Sequence, residues 1–460
     1  MGKLKHNILL RLVKAVNVPL IAAPFAICWF QWYAARLVFP ATAGTHALML
    51  LLYCGIYVVF ARVYDAFLVS INRISEMIYS QALAVCFADI LIFVILWLMS
   101  GRFPNVLPGL GALAVQLILA CVWSVLSHKW YFAVFPPKRS AVIYDLRQGM
   151  EDLIYEYGMD RKFDVRSVMS VGECLADLSA LDVWEAVFLS GVRSHDRNII
   201  LKHCVEKGVD VYVIPRVGDV IMSSAKRVHL FHLPVLRVGR YDPKPEYEFF
   251  KRLADITLSA AALIITSPIL LVTAIAIRSY DGGPVLYRQR RLTKDHKEFD
   301  VLKFRSMRQD AEKDGVARLS TGEKDDRITP VGHIIRKCRI DELPQLWNIL
   351  RGDMSIVGPR PERPEIAAQY EQTLPEFSLR LQVKAGLTGY AQVYGKYNTT
   401  PYDKLQMDLT YIGEAGPVAD LRIIFATIKI LFLPESTEGV EAGQTTAMAN
   451  GSMGKSANSA

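Results

Sequence analysis

The sequence predicts a membrane protein in which an N-terminal four-helix transmembrane bundle is followed by a cytosolic α/β Rossmann-like domain and then by a C-terminal α/β-associated region. Three observations carry this. Four apolar stretches, near residues 16–35, 46–61, 80–99 and 109–126, each approach the length that a bilayer's hydrocarbon core requires. Residues 140–240 alternate short β-rich runs with helical ones, and a fifth apolar run at 256–277 opens the last part of the chain.

The composition agrees. In 460 residues, 52% are hydrophobic, the mean hydropathy is +0.22 and the net charge is +8, a balance that suits an anionic membrane surface or phosphorylated ligands as readily as nucleic acid. Seven cysteines are scattered with no paired metal spacing, so neither a disulfide framework nor a zinc site is expected. Arg11 and Lys14 precede a first apolar run that is long enough to span and is followed by no clear cleavage site, so it reads as a span and not as a signal peptide.

Basic residues set the orientation of the four spans. Lys3, Lys5, Arg11 and Lys14 precede the first, Arg62 and Arg73 lie between the second and third, and Lys129, Lys138 and Arg139 follow the fourth, whereas the alternate connections carry only Arg36 and Arg102. The positive-inside rule then places the N-terminus, and the chain after four crossings, in the cytosol. Asp89 falls in the middle of the third span, where facing lipid would be costly, so it is expected to face another helix or a polar cavity in a packing role.

In the next domain the runs "AVIY", "VRSVMS", "EAVFLS" and "VDVYVIP" read as strands, with "DRNIILKHCVEKG" as a helix between the last two, which argues a small parallel sheet. The turn after the first strand is "DLRQG", not a glycine-rich loop, so a scaffold or regulatory role is expected in place of dinucleotide binding. The fifth apolar run is long enough to span, yet basic residues mark both its ends (Lys251 and Arg252, then Arg278), and Ser267–Pro268 sits at its middle. Proline removes an intrahelical hydrogen bond, and a serine hydroxyl can satisfy the freed carbonyl. A full crossing and a re-entrant helix both remain open on these grounds. The chain organises as a transmembrane domain over 1–139, the α/β domain over 140–245, a third domain over 246–434, and a Gly/Ser/Ala-rich disordered tail over 435–460.

The chemistry concentrates in "IDELPQLWNIL", residues 340–350. Leu343, Leu346, Trp347 and Leu350 recur at helical spacing, and Pro344 is tolerable only in a first turn, so a helix is expected to start at or near Asp341, with Asp341 capping it and Glu342 complementing the dipole. Capping does not explain why Arg336, Lys337, Arg339 and Arg351 crowd the same place. A carboxylate that attacks phosphorus has to approach an anion. At 4 Å and an effective dielectric near 20, each opposite charge offsets ~4 kcal/mol of that repulsion before desolvation. An acidic pair in a basic setting therefore reads as a phosphoryl-transfer site. "VGPRPERP" confines Arg360 between prolines, and "KFRSM", at the end of a hairpin built from "PVLYRQRR" and "EFDVLKF", supplies Lys303 and Arg305. Hard oxygen ligands suit Mg²⁺, which a pyrophosphate substrate usually brings with it, and Asp341 or Glu342 would lie near that ion.

Together, "KRLADITLSAAALIITSPILL", "GPVLYRQRR", "KFRSM", "DDRITPVGHIIRKCRIDELPQLWNILRGDMSIVGPRP" and "VKAGLTGYAQVYGKYNTTPYDKLQMDLTYI" resemble the bacterial sugar transferases called monotopic phosphoglycosyl transferases, or polyprenyl-phosphate hexose-1-phosphate transferases, over about residues 248–433. The upstream domains make the chain similar to the large form of that family, which initiates capsule, exopolysaccharide or O-antigen synthesis. The resemblance implies a monotopic catalytic domain with a re-entrant membrane helix broken at Ser267 and Pro268. It implies that Asp341 attacks the β-phosphate of a UDP-sugar, expels UMP and forms a phosphosugar-aspartyl intermediate, with Glu342 as dyad partner and Mg²⁺ assisting. Undecaprenyl phosphate then takes the phosphosugar. Lys303, Arg305, Arg336, Arg339 and Arg360 are the expected substrate-binding cations. Expected partners are a UDP-sugar, undecaprenyl phosphate, membrane lipids and a second copy of the chain, with no nucleic acid, at the bacterial inner membrane with the catalytic domain on the cytosolic face. Two departures stand out: "RRLTKDHKEF" lacks the glycines usual in the family's hairpin turn, and Ala385 stands where proline is common. The competing classes are a scaffold that binds nucleotide-sugar without turnover and a transporter that uses the four helices and Asp89.

Overall fold

A computed structural model describes residues 3–145, 148–309, 325, 327–395 and 399–431. The tail expected over 435–460 lies outside the described residues. The chain divides into two compact units, Met1–Ile214 and Pro215–Ala460.

The first unit begins with four long apolar helices, α1 (Lys3–Cys28), α2 (Ala43–Val63), α3 (Ile74–Ser100) and α4 (Val106–Val134). By length and composition each is able to cross a membrane. Their shared core is threaded by polar groups that would be costly in lipid. Tyr53 donates to Asp89 Oδ1 at 2.9 Å, Gln116 Nε2 donates to Tyr53 Oη at 2.6 Å and to the Ile21 carbonyl at 3.0 Å, and Tyr57 donates to Asn17 Oδ1 at 2.6 Å. Asp89 thus faces α2, as its cost against hydrocarbon requires.

The sheet follows as β1 (Lys138–Tyr144), α5 (Met150–Glu156), β2 (Phe163–Ser170), α6 (Val171–Ala176), β3 (Ala186–Ser190), α7 (Ser194–Lys207) and β4 (Asp210–Val213). All pairings are parallel, in the order β2-β1-β3-β4. Ile143, Val187 and Leu189 pack with Ile200 and Cys204 on one face, while Val142, Ala186 and Phe188 pack with Ile154 and Phe163 on the other. Burial on both faces explains why these strands read as continuous apolar runs.

The second unit opens with α8 (Val217–Ser223) and the hairpin β5 (Lys226–Leu230) and β6 (Leu233–Arg237). The sequence groups these residues with the α/β domain, but Val217 and Val220 bury in a core with Leu292, Phe377, Leu405 and Leu409. Next come α9 (Pro245–Asp281), the antiparallel hairpin β7 (Leu286–Leu292) and β8 (Glu298–Phe304), α10 (Pro330–Lys337), α11 (Gln345–Arg351), β9 (Ser355–Val357), α12 (Pro364–Thr373), β10 (Gly386–Thr388) parallel to β9, α13 (Tyr390–Tyr394), α14 (Pro401–Glu414) and α15 (Pro417–Leu431).

Helix α9 continues through Ser267–Pro268. Pro268 leaves the Ile264 carbonyl without its helical donor, and Ser267 Oγ donates to that carbonyl at 2.7 Å. Ile264, Ile265, Leu271 and Val272 are 63–76% exposed, an apolar surface suited to lipid. The cations before the apolar run do not simply mark a membrane edge, because they turn into the protein. Arg252 donates to the Ile349 and Leu350 carbonyls at 2.6 and 2.7 Å and so caps the end of α11, and Lys251 bonds Asp420 Oδ2 at 2.8 Å.

Both departures from the family pattern have a local counterpart. The β7–β8 turn puts Asp295 and His296 at φ +58° and +60°, the left-handed region that glycine enters at least cost. Ala385 N–H donates to Thr293 Oγ1 at 3.0 Å, a bond that proline could not make.

Candidate active site

The two acids do not sit where a capping reading puts them. Asp341 and Glu342 lie on a 3-10 turn, Ile340–Glu342, and α11 begins only at Gln345, with Pro344 in the cap position and no side-chain cap bond. Arg339, at φ +55°, bends the chain between α10 and this turn. The aspartate is thereby released from a structural duty. Of the helix's expected apolar face, Leu346 is buried with Ile349, Val301 and Met354, but Trp347 is 58% exposed.

Three elements converge on the turn. The β8 strand carries Lys303, whose Nζ donates to Glu342 Oε1 at 3.0 Å, and Arg360, after β9, donates to the same oxygen at 3.0 Å. The Arg360 loop is fixed by backbone crossing. Gly358 N–H donates to the Thr388 carbonyl and Gly386 N–H to the Pro359 carbonyl, each at 2.9 Å. A Cβ on Gly386 would come within 2.1 Å of Gly358 N, so only glycine permits this approach. Helix α10 starts at the Thr329 cap, which accepts from Gly332 N–H at 2.9 Å, and it lies so close that a Cβ on Gly332 would meet the Ser306 carbonyl at 2.0 Å. Its last turn presents Arg336, whose Nε donates to Ser306 Oγ at 2.8 Å.

The two carboxylates have opposite environments. Burial pushes Glu342 up, but the charges of Lys303, Arg360 and Arg339 overcome it and hold the group far below the usual carboxylate range. Asp341 is raised, first by burial and then by the Glu342 charge, against the pull of Lys303, Arg336 and Arg360. Among the described residues the Asp341 carboxylate accepts no hydrogen bond. One acid is clamped by two cations, and the other has no such bond among the described residues.

Of the cations read from sequence, Lys303 and Arg360 bond Glu342 directly, and Arg336 and Arg339 act on the pair through charge. Arg305 turns elsewhere and pairs with Asp281 at the end of α9, with its Nη1 buried and unpartnered among the described residues. Arg351 pairs with Asp353 at the surface.

Sequence reasoning missed a layer behind the site. Arg380, 3% exposed, donates through Nε to Asp408 Oδ2 at 2.8 Å and through Nη2 to the Arg360 carbonyl at 2.9 Å. Arg291 donates to the Pro361 carbonyl at 3.0 Å and lies 3.7 Å from Glu362, and burial pulls its guanidinium down to about 10. These buried groups hold the stiff segment that presents Arg360. The only outward signal was the charge of residues inside amphipathic stretches.

No group of three or more His, Cys, Asp and Glu side chains capable of holding a metal occurs among the described residues. Two adjacent carboxylates, one without a protein partner, fit Mg²⁺, which binds through one or two carboxylates plus substrate phosphates and waters.

Comparison with known proteins places this site in a family context. Residues 246–434 match the model of the family described as bacterial sugar transferase. An Aeromonas hydrophila UDP-N-acetylgalactosamine-undecaprenyl-phosphate N-acetylgalactosaminephosphotransferase is 37% identical over 234 residues, covering 50% of this chain and 54% of that protein. A UDP-glucose:undecaprenyl-phosphate glucose-1-phosphate transferase of Caulobacter vibrioides is 37% identical over 209 residues, 44% of this chain and 78% of that protein. The exopolysaccharide production protein PSS of Rhizobium leguminosarum bv. phaseoli is 42% identical over 187 residues, 39% of this chain and 92% of that protein. The chain spans about half the length of the first of these relatives.

Proposed function

We propose, on the premise that the chain belongs to the bacterial sugar transferase family, that it transfers a sugar-1-phosphate from a UDP-sugar to undecaprenyl phosphate, the first membrane step of a capsular polysaccharide, exopolysaccharide or O-antigen. The observation that carries this reading is the asymmetry of the dyad: Glu342 is bound by Lys303 and Arg360, and Asp341 is unpartnered among the described residues.

In the first step a carboxylate oxygen of Asp341 attacks the β-phosphorus. The bond from that phosphorus to the bridging oxygen breaks, UMP departs with the electron pair, and an acyl phosphate forms on the protein. In the second step a phosphate oxygen of the polyprenyl phosphate attacks the same phosphorus, and the aspartate leaves as a carboxylate. Lys303, Arg336 and Arg360 offset the charge of the approaching pyrophosphate, and Glu342 holds two of these cations in place. Asp341 and Glu342 would hold Mg²⁺, which would supply charge neutralisation at the donor's phosphates. An apolar groove of about 600 Å³, lined by Leu263, Leu270, Leu302, Phe304, Pro344 and Trp347, offers the acceptor's isoprenoid chain a surface beside α9.

The same reading has α1 to α4 cross the inner membrane, α9 enter and leave by the cytosolic leaflet at Ser267–Pro268, and two copies assemble as a homodimer. On that reading the catalytic domain over 246–434 lies on the cytosolic side of the membrane, as does the Rossmann-like domain over 140–245. Support comes from the apolar helices, the basic connections and the exposed apolar surface of α9.

The test is UMP release by the purified chain against a panel of UDP-sugars with undecaprenyl phosphate. One sugar is expected to give rapid release that Asp341→Asn abolishes. Near-normal turnover in that variant would overturn the assignment, and turnover with no sugar would favour the scaffold.

A further inference from the structure

The two basic residues in the connections opposite the basic end of the bundle find no use in sugar transfer. Arg36 follows α1 and Arg102 follows α3, and no Asp or Glu occurs anywhere in residues 29–50 or 98–112. Although they come from different connections, both line one cavity of about 350 Å³, together with Tyr33, Ser100, Phe103 and Asn105.

The two connections are bolted to each other. Tyr33 OH donates to the Asn105 carbonyl at 2.8 Å and accepts from Gly109 N–H at 3.1 Å, and Val38 N–H donates to the Met99 carbonyl at 3.3 Å. Gly101, at φ +61°, lets the chain turn so close that a Cβ there would meet Val38 Cγ2 at 3.2 Å, and Ser100 Oγ donates to the Arg102 carbonyl at 2.6 Å. The guanidinium stems therefore leave from fixed points. Among the described residues neither arginine forms an ion pair, so two like charges share a cavity with no protein anion to balance them.

Both arginines are exposed, so the cavity offers an anion from outside the chain two accessible cations at once. Trp32, Phe39, Trp97 and Phe103, all exposed, surround the same end and suit the interfacial level of a bilayer. Given a bundle embedded in the membrane, the anion available at that depth is a lipid phosphate, which a guanidinium fork matches geometrically. We propose that the Arg36–Arg102 cavity seats the phosphate of an anionic membrane-lipid headgroup. This site is separate from the dyad and makes no contribution to phosphosugar transfer.

The experiment is native mass spectrometry of the full chain released from phosphatidylcholine nanodiscs that carry either phosphatidylglycerol or polyprenyl phosphate as the minor anionic component. The wild type is expected to retain an anionic lipid that R36A/R102A loses by roughly tenfold or more in occupancy, with R36K/R102K retaining most of it. Loss in the first arm alone assigns a glycerophospholipid, loss in the second alone assigns the polyprenyl lipid, and loss in both assigns phosphate headgroups in general. Equal retention by the wild type and R36A/R102A in both arms overturns the proposal. If the double variant does not fold, R36A and R102A are each expected to lose about threefold, and unchanged retention in both singles overturns it equally. UMP release by these variants is expected to match the wild type, which separates this result from the fate of the transferase reading.

Discussion

Lys303 Nζ and Glu342 Oε1 meet at 3.0 Å across 39 residues of chain, and Arg360 reaches the same oxygen from the other direction. The contact holds Glu342 charged, and on the proposed reading leaves Asp341 to react. Several measurable consequences follow from that division.

On the proposed reading, the pH dependence of UMP release is expected to follow Asp341 and not Glu342. Asp341 has to be ionised to attack, and its pKa is raised, so activity falls as pH drops through a value above the ordinary aspartate range, while Glu342 remains anionic well below it. Glu342→Gln removes one of the two influences that raise Asp341 and leaves Lys303 and Arg360 to lower it further. The acid limb of kcat/KM for the donor is expected to move to lower pH in that variant. A limb that stays put or moves up contradicts the electrostatic assignment.

Arg360→Lys tests the fork. A lysine keeps the charge but cannot hold Glu342 and still present a planar pair of donors to a phosphate. A fall of about 10²-fold in kcat/KM for the UDP-sugar is expected, with the melting temperature unchanged. A variant within threefold of the wild type would show that Arg360 serves as a point charge only.

Asp408→Asn tests the layer behind Arg360. The Arg380 and Asp408 side chains are only 4% and 1% exposed, so neutralising Asp408 leaves the buried Arg380 charge with only the more distant Glu362 at 3.9 Å, at a cost of about 3 kcal/mol. Thermal denaturation is expected to shift down by roughly 10 °C. The apolar double replacement Arg380→Met/Asp408→Leu is expected to recover part of that loss while lowering turnover, because the Arg360 carbonyl loses its donor. Full recovery of both would show that the pair has no part in presenting Arg360.

Much of this architecture was legible before any coordinates, and the reason differs by element. The strands β1 to β4 and the β7–β8 hairpin were readable because burial and pairing leave a local apolar pattern. The Asp341–Glu342 pair stands out in the sequence because adjacent acids among cations are unusual over a span of a dozen residues. The capping role expected of Asp341 failed for a local reason: an acid before a proline fits a 3-10 turn as well as a helix start. In the sequence Lys251 and Arg252 mark the edge of an apolar run, yet they bind Asp420 and the end of α11, since a charge count does not say which way a side chain turns. The Arg380–Asp408 pair is invisible in the sequence because its partners are 28 residues apart and each alone resembles an ordinary solvent-facing charge.

The most direct measurement is rapid-quench mass spectrometry of the purified chain mixed with its UDP-sugar in the absence of polyprenyl phosphate. A phosphosugar ester on Asp341, formed in step with one equivalent of UMP and discharged when polyprenyl phosphate is added, is the predicted result. The same ester on a different side chain, or UMP produced with no covalent species on the protein, would contradict the account.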